Sequence, residues 1–331
     1  MNIEQNTQTN SNQNVNQKIK ALINGACRVI RGKHDFLELL AAGIFAGGHI
    51  LLEDNPGLGK TTVAKTMARL IEGSSGRPLV FKRIQFTPDL LPYDITGVDI
   101  FDPETRSFRF MPGPILANIV LADEINRATP KVQSALLEVM AEGQVTIGDA
   151  SHRPPQPFFV IATGNPIESE GTFPLPCAQL DRFMMRLSLG YPDRESELSI
   201  LDDNPAGGIL ESLEPIMTCA EFLEIREAVK KVFCHPSLKE AAADIVRDTR
   251  THRGFSLGVS PRGALHYLEA AKALALIRDR DYIIDEDLLI LAVPVLSHRV
   301  RLKDVSEDTS KAQTVIREIS LARLESIKQR N

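Results

Sequence analysis

LLEDNPGLGKTT (residues 51–62) runs from an apolar stretch into a glycine-bearing turn that closes on Lys60 and Thr61. The closing letters match a phosphate-binding loop, G-x-x-x-x-G-K-[ST], with Gly59, Lys60 and Thr61 in their places. The opening position of that pattern, normally glycine, is Asp54. A phosphate cradle needs glycines so that backbone N–H groups can turn toward the oxygens, with a helix N-terminus behind them. Gly57 and Gly59 meet that need, and KTTVAKTMARLI (residues 60–71) continues as a helix with Val63, Met67 and Leu70 on one side. Asp54, Asn55, Pro56, Gly57, Leu58, Gly59, Lys60, Thr61 and Thr62 are therefore the expected nucleotide-binding loop. Lys60 would reach the β- and γ-phosphates, and the Thr61 hydroxyl would ligate Mg²⁺. A plain glycine-rich turn is the alternative, weakened by the strand before it and the helix after it. Asp54, at the strand end, is expected to brace the loop by accepting N–H groups two or three residues ahead.

Outward from the loop, short apolar runs alternate with helical ones. HILLE (49–53), LVFKRIQF (79–86), NIVLADE (118–124) and FFVIATGN (158–165) read as strands between helices, which implies a parallel sheet covered on both faces. Ligands bind at the carboxyl ends of such strands. Three of those ends carry polar chemistry: Asp54 to Thr61, Asp123-Glu124, and Asn165. Two carboxylates ending an apolar strand need cation partners. Asp123 suits the Mg²⁺ shell and Glu124 the general base that orients the attacking water, unless the pair merely caps the next helix. Asn165 can hold that water or the γ-phosphate, though an Asn-Pro after a strand is often only a turn. Two insertions read as hairpins, one at about 87–114 with its turn near Asp102-Pro103-Glu104, the other at about 143–160.

The 331 residues favour two domains or one large one. Residues 1–16 are polar, low in complexity, and expected to be a disordered tail. A boundary is expected in DDNPAGGILE (202–211), with residues 17–203 as an α/β core and 204–331 as a smaller all-α domain with a charged helical tail. A helix from Pro261 begins with Ser260 as N-cap; Arg262 in its first turn opposes the helix dipole, which suggests that an anion belongs there. The net charge of −5 argues against a broad nucleic-acid footprint, and Arg153 is the one arginine or lysine between Gln144 and Phe158 in the second hairpin. Four scattered cysteines, no C-x-x-C pair and no signal pattern read as a cytoplasmic chain with reduced, buried thiols and no membrane insertion.

Taken together, GHILLEDNPGLGKTT, LLPYDITG, FRFMPGPI, VLADEINRATPKVQSALLEVMAEGQVT, ATGNPIESEGTFPLPCAQLDRF and GVSPRGAL resemble the MoxR family of AAA+ ATPases, from about Ile23 to His298. The resemblance implies an AAA+ P-loop core with a parallel sheet between helices and a helical lid. It makes residues 54–62 Walker A, Asp123-Glu124 Walker B, Asn165 sensor 1 and Arg262 sensor 2. In AQLDRF, it makes Arg182 the arginine finger offered to a neighbouring subunit; read alone, Arg182 is a surface salt-bridge residue. The two hairpins match the family's helix-2 insert and the hairpin before sensor 1. Implied further are ATP and Mg as cofactors, nucleotide bound between core and lid and between subunits, and a ring, most often a hexamer. The partner would be a protein client, often one with a von Willebrand factor A domain, remodelled or activated by a chaperone. Gly164 stands where the family usually has Gln and Cys177 where it usually has Glu, neither at a position expected to do chemistry. A nucleic-acid-stimulated motor and a nucleotide-regulated scaffold with little turnover are the competing readings.

Overall fold

Strands that are apolar at nearly every position need cover on both faces, and the central sheet is built that way. The computed structural model describes residues 2–73, 76–165, 171–303 and 309–328. In chain order its strands begin with β1 (Ile50–Glu53), β2 (Ile71–Glu72) and β3 (Phe81–Gln85). The hairpin of β4 (Gly97–Asp102) and β5 (Ser107–Pro112) precedes β6 (Ile119–Asp123). A second hairpin, β7 (Val145–Ile147) with β8 (Ala150–His152), precedes β9 (Phe159–Gly164) and β10 (Met185–Leu187). Five of these strands form one sheet in the order β10-β1-β9-β6-β3, every neighbouring pair parallel. Alternation along the strands splits the side chains between two cores. Ile50, Leu52, Ile119, Leu121, Phe159 and Ile161 enter one; Leu51, Val120, Ala122, Val160 and Ala162 enter the other.

The first core is closed by α1 (Asn2–Cys27), α2 (His34–Phe45) and α3 (Lys60–Leu70), through residues such as Leu22, Leu40 and Val63. The second is closed by α4 (Pro92–Thr96) and α5 (Pro130–Glu142), through Ile95, Val132 and Leu136. His49 ties the sheet to α5: its Nε2 donates to the Met140 carbonyl at 3.1 Å, while its Nδ1 accepts the Val160 N–H at 3.0 Å. Both expected hairpins are present. At the tip of the first, the Asp102 carboxylate accepts the Glu104 N–H at 2.9 Å.

Past α6 (Cys177–Leu180) and α7 (Arg194–Asp203) the chain passes through β11 (Met217–Thr218) into α8 (Cys219–Lys231), whose start is a capping box of Thr218 and Glu221. The lid then consists of α9 (Pro236–Thr251), α10 (Pro261–Ile277), α11 (Asp285–Leu296) and α12 (Thr309–Lys328), with one two-stranded pair, β12 (Phe255–Leu257) and β13 (Arg301–Leu302).

Four expectations need revising. Residues 2–16, read as a disordered tail, form the leading turns of α1; extending a helix already nucleated by its packed half fixes one residue per new hydrogen bond. The expected boundary at 203 does not separate two cores: β11 pairs with β2, and the α8 ring of Phe222 lies 5.0 Å from that of Phe45. The charged C-terminal stretch, expected as a helical tail, packs into the lid, since Ile316 and Leu324 of α12 are buried and Arg323 pairs with Asp248 of α9. All four cysteines are free and half-buried instead of buried, and burial raises the pKa of Cys27, Cys219 and Cys234.

Candidate functional site

The turn after β1 holds Gly57 at φ +85° and Gly59 at φ +90°, left-handed values that strain any residue with a Cβ. Space is not the constraint, because a Cβ on Gly57 would meet nothing within 4 Å. Gly59 is the N-cap of α3 and offers no side-chain cap, so the first amides of that helix face the open side of the turn. Lys60 Nζ donates to the Asp54 carbonyl at 2.7 Å, which folds the lysine over the loop.

Asp54 does brace this region, but not as the sequence suggests. Its carboxylate accepts the Ser188 hydroxyl at 2.7 Å, the Leu189 N–H at 2.6 Å and the Gly190 N–H at 3.2 Å. The brace thus runs to the segment leaving β10, not to amides of its own loop. The reason is topological: β10 lies beside β1 in the sheet, so the two strand ends emerge together. Three donors, all from residues 188–190, turn the carboxylate toward the β10 side of the turn.

The other two strand ends stand alongside. Asp123, buried, accepts the Thr163 hydroxyl at 2.6 Å, and that same hydroxyl accepts the Glu124 N–H at 2.9 Å. Glu124 is not part of the strand: it sits at φ 57°, ψ 50°, a left-handed conformation that costs a non-glycine residue about 1–2 kcal/mol. The turn throws its carboxylate sideways, where Gln85 Nε2 donates to it at 2.8 Å and Arg127 lies 3.4 Å away. Arg83 of β3 grips the other oxygen of Asp123 with Nη2 at 2.6 Å and Nε at 3.0 Å. Asn165, buried, follows β9 and shares a hollow of about 210 Å³ with Glu53, Gly164 and Leu180. A Cβ on Gly164 would touch only Glu53 Cγ at 3.7 Å, so the backbone does not require glycine there. Residues 166–170, the middle of the ATGNPIESEG motif, lie outside the described residues.

These donors fit a magnesium nucleotide. Among the described residues no cluster of three His, Cys, Asp or Glu could hold a metal alone. One hydroxyl and one carboxylate, Thr61 and Asp123, are the sparse protein set that Mg²⁺ accepts when phosphates and waters complete its shell. A cavity of about 870 Å³ between α2, α8 and α10 holds none of these residues. Its Arg226 and Lys272 are already donating to the carbonyls of Ile44 and Lys230 at helix ends.

Arg182 and Arg262 belong to the opposite end of the sheet. Residues 181–184 approach β10 from the side where Met184 N–H donates to the His49 carbonyl, at the start of β1. Ser260, the cap of the helix that carries Arg262, donates to the Asp181 carboxylate at 2.9 Å. From His49 to Asp54 the strand climbs five residues, about 16 Å. Arg182 is half-buried and Arg262 exposed, both on elements that pack beside the start of β1. The structure therefore brings together Lys60, Thr61, Asp123, Glu124 and Asn165, and separately Arg182 and Arg262.

Sequence reading missed Thr163, Arg83, Gln85 and Ser188. Arg83 and Gln85 leave a signal, polar residues at i and i+2 in FKRIQ, one face of a strand beside the acidic one. Thr163 and Ser188 leave none.

Comparison with known proteins places the chain among AAA ATPases. The family model "ATPase family associated with various cellular activities (AAA)" matches residues 49–185, and that of the AAA lid domain matches residues 247–319. The chain is 47% identical over 296 residues to the YeaC protein of Bacillus subtilis, covering 89% of this chain and 91% of that one. It is 40% identical over 302 residues to the chaperone MoxR1 of Mycobacterium tuberculosis, covering 88% of this chain and 78% of that one. A crystal structure from Cytophaga hutchinsonii, of a candidate ATPase, superposes with a TM-score of 0.86 at 38% identity, covering 97% of this chain and 98% of that one.

Proposed function

The chain belongs to the MoxR family of AAA+ ATPases, and from that premise we propose that it binds and hydrolyses ATP and uses the cycle to remodel or activate a protein partner. One observation carries the reading: the glycine turn, Asp123-Glu124 and Asn165 stand on the carboxyl ends of three adjacent parallel strands, β1, β6 and β9. Amides of residues 57–62 and the Lys60 ammonium take the phosphates. Thr61 and Asp123 would hold Mg²⁺, which when bound neutralises charge on the phosphate oxygens. Glu124 accepts a proton from water as its oxygen bonds to the γ-phosphorus; the bond to the β–γ bridging oxygen breaks, leaving ADP and phosphate. Asn165 positions that water.

Arg182 and Arg262, on elements that pack beside the start of β1 and not beside the loop at its end, serve a neighbouring copy, so the active unit is a ring, with six subunits as the family's usual number. Similarity to a protein named a chaperone supports remodelling as the output. A client with a von Willebrand factor A domain is the partner we propose.

Hydrolysis is tested with Glu124→Gln, which should bind ATP with near-native affinity and turn it over about 100-fold or more slowly. Normal turnover in that variant would overturn the role of Glu124, and negligible turnover in the native protein would favour a scaffold. DNA-stimulated hydrolysis would favour a motor. Arg182→Ala, inactive alone, should regain turnover when mixed with Glu124→Gln subunits that keep their arginines.

A further inference from the structure

Arg299 is 2% exposed, a guanidinium buried in the lid–core seam just after α11. Its five N–H groups are all engaged. Nε donates to the Asp181 carboxylate at 3.0 Å, and Nη1 to the Met184 carbonyl at 3.2 Å and to the Val295 carbonyl. Nη2 donates to the Phe183 carbonyl at 2.5 Å and to His266 Nδ1 at 2.7 Å. One side chain therefore fixes the backbone on the C-terminal side of Arg182, the carboxylate on its N-terminal side, and the first turns of the helix that carries Arg262. The same Asp181 carboxylate takes the Ser260 cap, so the two arginine-bearing elements share one anion.

A buried arginine needs partners wherever it sits, and a strut that merely holds the lid down would satisfy that need. Two details point further. The acceptors are the main-chain carbonyls of Phe183 and Met184, so the clamp sets backbone direction around Arg182. Gly263, the residue after Arg262, leaves room for Val259 and for the Arg299 stem: a Cβ there would come within 2.5 Å of Val259 Cγ1, 2.7 Å of Arg299 Cδ and 3.1 Å of its Nε. The start of α10 is shaped around this guanidinium.

We propose that Arg299 is a positioning residue which holds Arg182 and Arg262 as one rigid unit for delivery to the neighbouring copy's nucleotide. The proposal rests on the reading that those arginines act in trans. Lysine keeps the charge but cannot reach Asp181, Phe183 and His266 together, since it has one ammonium in place of a planar fork. Arg299→Lys should leave ATP affinity within about twofold, because its own loop is untouched, and lower kcat by about 10- to 100-fold, the scale of a misplaced reacting group.

The deciding experiment mixes full-length Arg299→Lys with Glu124→Gln, beside a parallel mixture of Arg182→Ala with Glu124→Gln. Recovery of turnover in both mixtures is the expected result, because Arg299→Lys keeps an intact site that a neighbour's correctly held arginines can serve. Recovery with Arg182→Ala but not with Arg299→Lys would overturn the positioning role. Recovery in neither would instead overturn the trans reading beneath it. If Arg299→Lys does not fold, Gly263→Ala, which displaces the Arg299 stem, takes its place in the same mixture and is read the same way.

Discussion

Asp54 shows how one side chain can be legible in kind and not in partner. An acid at a strand end was expected to accept backbone N–H groups, and it does, but from residues 188–190. Strand order decided which, and a single sequence does not disclose that β10 neighbours β1. The consequence is measurable. Restoring the pattern's glycine, Asp54→Gly, strands three donors, one of them the buried Leu189 amide, and should cost about 2–4 kcal/mol in urea unfolding. ATP affinity should change by less than about tenfold, about 1.4 kcal/mol, because the carboxylate is turned toward residues 188–190. Thr163 is a second such residue: its hydroxyl both donates to Asp123 and accepts from Glu124, so it fixes the two acids relative to each other. Thr163→Val should lower kcat about tenfold or more while the fold melts within a few degrees of native, as read by circular dichroism; unchanged kcat would detach it from the acids' geometry.

Among the elements, those with a local cause were readable and those with a distant one were not. The helix from Pro261 to Ile277 begins where Ser260 and Pro261 say it should, because cap and first turn are neighbours in sequence. Strands β1, β6 and β9 were readable from unbroken apolar runs, since burial on both faces leaves no alternation to misread; β3 is polar on one face, and the three-residue β10 was not read as a strand. The left-handed turn at Glu124 was not, since glutamate has no preference for it and Thr163, from β9, imposes it. Two buried histidines, His49 and His298, and the half-buried His266 carry an element-level prediction. Burial holds His49 and His266 at pKa values of about 4, with nearby Arg226 and Arg299 pushing the same way, and holds His298 well below its ordinary range. Above pH 6.5 both folded and unfolded chains keep them neutral. Below it the unfolded chain gains protons that the folded one refuses until about pH 4, so stability should fall by roughly 1 kcal/mol per pH unit per histidine in that window. Replacing His49 by Gln, which keeps a donor and an acceptor, should flatten the slope between pH 6.5 and 4 in chemical denaturation; an unchanged slope would acquit His49.

At the scale of the molecule, core and lid share one apolar cluster. Phe222 of α8 lies between Phe45 and Phe159, at 5.0 Å and 6.5 Å, and the lid's Leu274 and Leu291 belong to the same cluster as Ile50 and Phe159. Calorimetry of the nucleotide-free chain should show one cooperative transition; two resolved transitions would mean the shared cluster does not couple them. Among the described residues no helix is long and apolar enough to cross a membrane.

The sheet's polarity, with phosphate loop at one end and arginines at the other, also constrains assembly symmetry. A two-fold contact sets residue i of one copy against j of its partner and j against i, so it joins loop to arginine only where both lie in one patch, and here they lie at opposite ends of the sheet. Completing a site needs a heterologous, head-to-tail contact, and repetition of that contact either closes a cycle or grows a helix. The angle between the two ends of this chain then determines which, and gives every closed assembly a single rotational sense.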